Sequence, residues 1–207
     1  MSCYNDLENT MYHTTKTLIA GMAIISLFGA GCGGGTTTTG SQTSNGTEQK
    51  AVSGKSYDPC ELITAADVAP FYPGEEVKQD KHDIKANAVG QKICFYSIGD
   101  DMKFVQLSLV SSADMSAGMK SSGQNAETLF NQEKELLEAD AITNVTGLGD
   151  AAYYGGSGLG IGKGTHVLVN AKDVKFSIDI GLGFGNTDKA KHMEIENALA
   201  KKVLERL

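Results

Sequence analysis

Residues 175–182 read KFSIDIGL, Lys175 to Leu182, and this octet decides the fold. Phe176, Ile178, Ile180 and Leu182 fall at every second position. An extended chain turns all four to one side, whereas a helix would scatter them around its circumference. A strand with one apolar face needs neighbours and a covering layer. Toward the N-terminus the neighbours are legible as Thr165–Asn170 (THVLVN), Ala151–Tyr154 and Phe104–Val110 (FVQLSLV), the last with Val105, Leu107 and Leu109 on one face. Lys92–Ile98 (KICFYSI) is apolar on both faces, which predicts a central strand.

The covering layer is helical. Over residues 124–139, Leu129 and Phe130 stand two turns before Leu136 and Leu137, and over residues 187–206, Ile195, Leu199 and Val203 form one stripe. Asp58-Pro59-Cys60-Glu61 opens the folded part as a capped helix start, and Thr64 caps a second short turn that Pro70 and Pro73-Gly74 end. Helix, strands, helix, strands, helix is an α+β order. The expected architecture is an antiparallel sheet covered on one side by helices, in one domain over residues 57–207.

Upstream of that domain the chain changes character. Leu18–Ala30 (LIAGMAIISLFGA) is an apolar run of 13 residues behind Lys16, within the ~7–15 of an export-signal core and short of the ~20 a spanning helix needs. Gly29-Ala30-Gly31-Cys32 follows and resembles the lipobox of bacterial lipoproteins, with Gly29 where leucine is usual. Residues 1–31 are therefore expected to be a signal peptide, with translation starting at Met1 or, more conventionally, at Met11. Cys32 is expected to be the acylated first residue of the mature chain; a cleaved soluble protein and an uncleaved anchor are the alternatives. Two or more acyl chains hold a protein stably on a membrane, at about 0.8 kcal/mol per buried CH₂. Residues 33–56 are Gly, Thr, Ser, Gln and Asn with little to bury, so residues 32–56 make a lipidated cysteine and a tether whose reach is on the order of 25–30 Å.

Cysteine parity bears on the same question. With Cys32 acylated, Cys60 and Cys94 remain as an even pair for an oxidising compartment, and a disulfide is expected. Two buried thiols are the alternative. Cysteines this far apart lack the close ligand spacing of zinc motifs, so no metal or other cofactor is expected. The net charge of −7 argues against a nucleic-acid partner.

Candidate chemistry is sparse. The glycine-rich residues 155–164 (GGSGLGIGKG) fail as a phosphate loop: Ser157 stands where the first glycine is needed, Gly164 follows Lys163 where Ser or Thr is needed, and a strand comes next. They fail as a nucleophile elbow because no helix follows Ser157. A hairpin turn is the simpler account. Ser157, His166 and Asp150 are the residues a hydrolase would require. Tyr153 and Tyr154, beside the glycines, are candidate ligand-binding residues on a shallow surface, with strand packing as the alternative.

Asp-Pro-Cys-Glu-Leu-Ile-Thr (58–64), Cys94 before Phe95-Tyr96, Gly-Leu-Gly-Asp-Ala-Ala (147–152) and the closing Leu199-Ala200-Lys201-Lys202-Val203-Leu204 helix occur in that order. The set resembles a family of bacterial lipoproteins of unknown function, best represented in actinobacteria. The resemblance implies an exported α+β domain with a disulfide and carries over no catalytic residue. A photosystem-accessory-protein-like (PsbP-like) sheet-and-helix fold is the analogy it suggests. The expected function is non-catalytic: an envelope lipoprotein, held on the outer side of the cytoplasmic membrane or in an outer membrane, binding an envelope protein or ligand. The alternatives are a carrier of a lipid-like molecule in an apolar cavity, or an envelope hydrolase.

Overall fold

The computed structural model describes residues 54–99 and 102–207. Cys32, the apolar run before it and most of the tether lie outside the described residues. In chain order the elements are α1 (Pro59–Leu62), α2 (Ala65–Val68), β1 (Val77–His82), β2 (Gln91–Ile98), β3 (Lys103–Ser111), α3 (Ala117–Ser121), α4 (Ala126–Glu135), β4 (Thr143–Val145), β5 (Ala151–Tyr154), β6 (Thr165–Val169), β7 (Val174–Leu182) and α5 (Lys189–Arg206). The strands form one seven-stranded sheet in the order β1-β2-β3-β7-β6-β5-β4, antiparallel at every pairing. Two meanders therefore meet where β3 pairs with β7. The expected antiparallel α+β fold is observed.

The octet that predicts the sheet lies at its middle. In β7, Phe176, Ile178 and Ile180 are buried on one face, where they meet Val105, Leu107 and Leu109 of β3 and Val167 of β6. Ile195, Leu199 and Val203 of α5 join that core, as do Leu62, Ile63 and Val68 from the α1–α2 region. Burial of such side chains is worth about 1.5–3 kcal/mol each, so this face supplies most of the driving force. Arg206 closes the layer with a bidentate pair to Asp67 at 2.6 and 2.8 Å. The same guanidinium holds the Asp67 carboxyl well below the usual carboxylate range.

Three expectations need correction. The helices do not all lie on one side. Residues of β7 that alternate with the apolar ones (Lys175, Ser177 and Asp179) are themselves buried, and α4 packs on that second face through Phe130, which meets Tyr153 and Leu168. Alternation identified the polar face but could not show that a short helix covers it. Second, the central strand is β7, whereas β2 is one place from the edge and alternates half-buried with buried. Its second apolar face, Ile93 and Phe95, is only partly covered; Phe95 stacks on Phe104 at 5.7 Å. Helix α4 also ends at Glu135, short of residue 139. Leu137 leaves the helix to pack on the Phe130–Tyr153–Leu168 cluster, and Leu136 is exposed.

The expected disulfide joins Cys60 of α1 to Cys94 of β2 across 34 residues. Closing a loop of that length is worth about 3–4 kcal/mol in the chain-entropy account. Asp58 caps α1, accepting from the Cys60 N–H at 2.8 Å.

Candidate functional site

One end of the sheet opens into a cleft of about 310 Å³, at the lower end of the ~300–1,000 Å³ typical of ligand sites. Its walls come from four places: Met102 and Phe104 where β3 begins, Ile180 and Leu182 where β7 ends, Phe184 in the β7–α5 loop, and Leu159 in the glycine-rich β5–β6 loop. His192, in the first turns of α5, is buried beside it and donates from Nδ1 to the Asp188 carbonyl at 2.7 Å. Gly181 forms part of the floor. A Cβ there would lie 2.4 Å from a Phe104 ring carbon, so glycine is what lets that ring cross β7.

The rim is apolar and exposed. Phe184 is 91 %, Met102 73 % and Leu159 54 % accessible, and Ile161 in the same glycine loop is 76 % accessible. Single exposed apolar residues are ordinary; here Met102, Leu159 and Phe184 line one cleft together. The glycine loop is held at its base by Gly155 N–H to the Gly164 carbonyl (2.9 Å) and Gly164 N–H to the Gly156 carbonyl (2.7 Å). It is the hairpin the sequence suggests. The rim residues were missed at the level of sequence, although a signal existed. Gly158-Leu-Gly-Ile-Gly162 and Gly181-Leu-Gly-Phe-Gly185 share one pattern, large apolar residues set between glycines, where turns are normally polar.

Tyr153 and Tyr154 lie elsewhere. Both are buried, and as neighbours in a strand they point to opposite faces. Tyr154 lies on the face covered by α5, with Lys189 over its ring and a hydrogen bond to Ser157; burial pushes its hydroxyl up to about 12. Tyr153 lies under α4, stacked on His166 at 4.6 Å, and burial raises its hydroxyl further still. Neither lines the cleft.

Beneath α4 the second face gathers a polar cluster. Glu133 of α4 pairs with Lys175 of β7, and its other oxygen approaches His166 Nδ1 at 3.4 Å. His166 donates from Nε2 to the Lys163 carbonyl at 2.7 Å. Ser177 donates to Asp179 at 3.1 Å, and Gln106 also bonds that carboxyl. Burial drives Asp179 up to about 7, while for Glu133 the burial that would raise it is outweighed by His166 and Lys175 beside it, which hold it below its ordinary value. Glu133 Oε2, His166 Nδ1 and the Tyr153 hydroxyl lack a well-formed hydrogen bond.

The hydrolase trio is not assembled. Ser157 is at the cleft and bonds Tyr154, His166 is committed to Lys163 and Glu133 under α4, and Asp150 accepts from the Asn170 N–H at 2.7 Å. Among the described residues no helix is long and apolar enough to cross a membrane. Compared with family models, curated proteins and solved structures, the chain finds no match.

Proposed function

We propose that the chain is an exported lipoprotein, held on a membrane of the cell envelope through lipid on Cys32, whose domain binds an apolar segment of an envelope protein, or an apolar ligand, without catalysis. The observation that carries the binding reading is the cleft between Phe104, Leu182, Leu159 and Phe184 with its exposed apolar rim. Nucleic acid is not among the partners proposed, and binding at the cleft calls for no cofactor. The analogy to a PsbP-like sheet-and-helix protein and the likeness to actinobacterial lipoproteins belong to the same proposal.

The cleft lies away from residues 55–56, where the tether joins the domain. The tether enters the domain beside Lys92 and Ser111, which bond Ser56 and the Lys55 carbonyl. Ser111 ends β3 and Lys103 begins it, so the cleft and the tether lie at opposite ends of a strand of nine residues, about 26 Å apart. The carrier reading is less favoured, because the opening is a cleft at the strand ends rather than a cavity between sheet and helices.

The test is a titration with an environment-sensitive apolar fluorophore. Wild type should bind and brighten it, and Phe184→Ser and Leu159→Ser should each weaken binding several-fold with the fold intact. Unchanged binding in both variants would remove the cleft from the proposal. The mass of the mature N-terminus checks the anchor: diacylglyceryl-modified Cys32 is expected, and unmodified Cys32 or an uncleaved precursor would refute it.

A further inference from the structure

The β-ladder brings together residues that are far apart in the sequence. His82 ends β1 directly opposite Cys94 in β2, so the two side chains leave the same face with Cβ atoms about 4.5–5.5 Å apart. Cys94 is bonded to Cys60, and Asp58 caps the helix that carries Cys60. His82 donates from Nε2 to both Asp58 oxygens, at 2.8 and 2.7 Å. Donor atoms of Asp58, Cys60 and His82 all lie within 4.8 Å of one another, and the second sulfur is attached to the first. The Asp58 and His82 side chains are 29 % and 34 % exposed, so the group is open to solvent on one side.

Two sulfurs, an imidazole nitrogen and a carboxylate oxygen are a complete tetrahedral set for Zn²⁺, which takes them at about 2.3, 2.0–2.1 and 2.0–2.2 Å. The disulfide withholds it, because sulfurs bonded to each other offer no thiolate. We infer that Asp58, Cys60, His82 and Cys94 form a zinc site when the disulfide is reduced, so that one locus alternates between a covalent link and a metal chelate. A dithiol donor supplies two electrons and two protons to the S–S bond and leaves as its own disulfide, giving two thiols. Zn²⁺ displaces the two thiol protons. His82 shifts its proton to Nδ1 and binds through Nε2, and Asp58 adds one oxygen. Either state ties α1 to β2. The redox poise of the compartment then decides whether the chain carries metal.

Cobalt(II) is the probe. Full-length chain reduced with a phosphine, freed of it under argon and titrated with Co²⁺ should take up one equivalent at this locus. A thiolate-to-metal charge-transfer band should appear, and Zn²⁺ should abolish it. The oxidised chain should show no such band. Cys60→Ser must lose the site, which separates it from any binding at Cys3 or Cys32. His82→Ala, which keeps both sulfurs, should weaken Zn²⁺ by more than the ~10–100-fold that outer-shell changes alone produce. If reduction unfolds the chain, Zn²⁺ should restore its near-ultraviolet circular dichroism. No uptake by reduced chain, uptake unchanged in Cys60→Ser or His82→Ala, or failure of Zn²⁺ to refold an unfolded reduced chain would each overturn the assignment.

Discussion

The two faces of the sheet are built from the same strands on opposite principles. Under α1, α2 and α5 the face is nearly all aliphatic, with Ile178, Ile180, Leu107 and Leu199 at zero exposure. Under α4 it is a small apolar cluster, Phe130, Tyr153 and Leu168, beside the polar set of Glu133, His166, Lys175, Ser177 and Asp179. The first face stabilises through area removed from water, which is non-directional and adds with every methylene. On the second, charges taken out of water must meet their partners, and Glu133 of α4 meets Lys175 and His166 of the sheet. The expectation that follows is a division of stability and specificity between the faces of a single strand, β7.

The largest effect expected from breaking that division comes from adjacent residues of β7. Phe176→Ala empties a site on the aliphatic face and should cost about 3–5 kcal/mol. Ser177→Ala, one residue along and on the other face, removes one hydrogen bond to Asp179 and should cost about 1 kcal/mol. Urea denaturation of the two variants measures both. Equal losses would show that the polar face carries as much weight as the aliphatic one.

The same contrast explains what was legible in the sequence. Strands β5, β6 and β7 and helix α5 lie where periodicity puts them, because each is buried enough for its pattern to be imposed by the core. Strands β1 (VKQDKH) and β4 (TNV) were not legible. They are the two edges, paired on one side only; β1 is almost wholly exposed and carries a bulge between Gln79 and Lys81, so no alternation is imposed on it. The polar residues of β7 looked like a solvent face because pattern reports chemistry, not cover. The cleft was hidden for a related reason. Turns are scanned for glycine and polarity, and Leu159 and Phe184 among their glycines fit neither core nor turn. Cys60 and Cys94 were legible as a pair, but His82 beside them was not, since its position depends on an unread edge strand.

A second, smaller expectation concerns a carboxyl buried within the aliphatic face. Glu196 of α5 is fully buried, accepts from the Thr165 hydroxyl at 2.8 Å, and is pushed by burial from 4.5 up to about 9. The folded state therefore holds this proton between about pH 4.5 and 9 while the unfolded state has released it, so folding stability falls as pH rises through that window. Glu196→Gln removes the contribution. It should match wild type near pH 4 and exceed it by on the order of 2–3 kcal/mol at pH 7. Chemical denaturation at four or five pH values checks the slope. Asp179, raised from 3.8 to about 7, leaves a residual slope of the same sign below neutrality. A pH-independent difference between Glu196→Gln and wild type would mean that Glu196 is ionised in the folded protein.

The smallest effects sharpen the comparison most. Glu133→Ala leaves Lys175, 8 % exposed, without its carboxylate partner. Removing one member of a buried pair costs about 3–5 kcal/mol, but Glu133 retains 31 % exposure and part of its charge is already screened, so about 1–3 kcal/mol is expected. Replacing both, as Glu133→Leu with Lys175→Met, substitutes packing for the pair and should return stability to within about 1 kcal/mol of wild type. What the double variant should lose is uniqueness: with no charge to fix its register, α4 can slide over the second face, and amide exchange in residues 126–135 should quicken while β7 stays protected. If exchange in α4 is unchanged, its apolar contacts and its N-terminal cap position the helix without help from the Glu133–Lys175 pair.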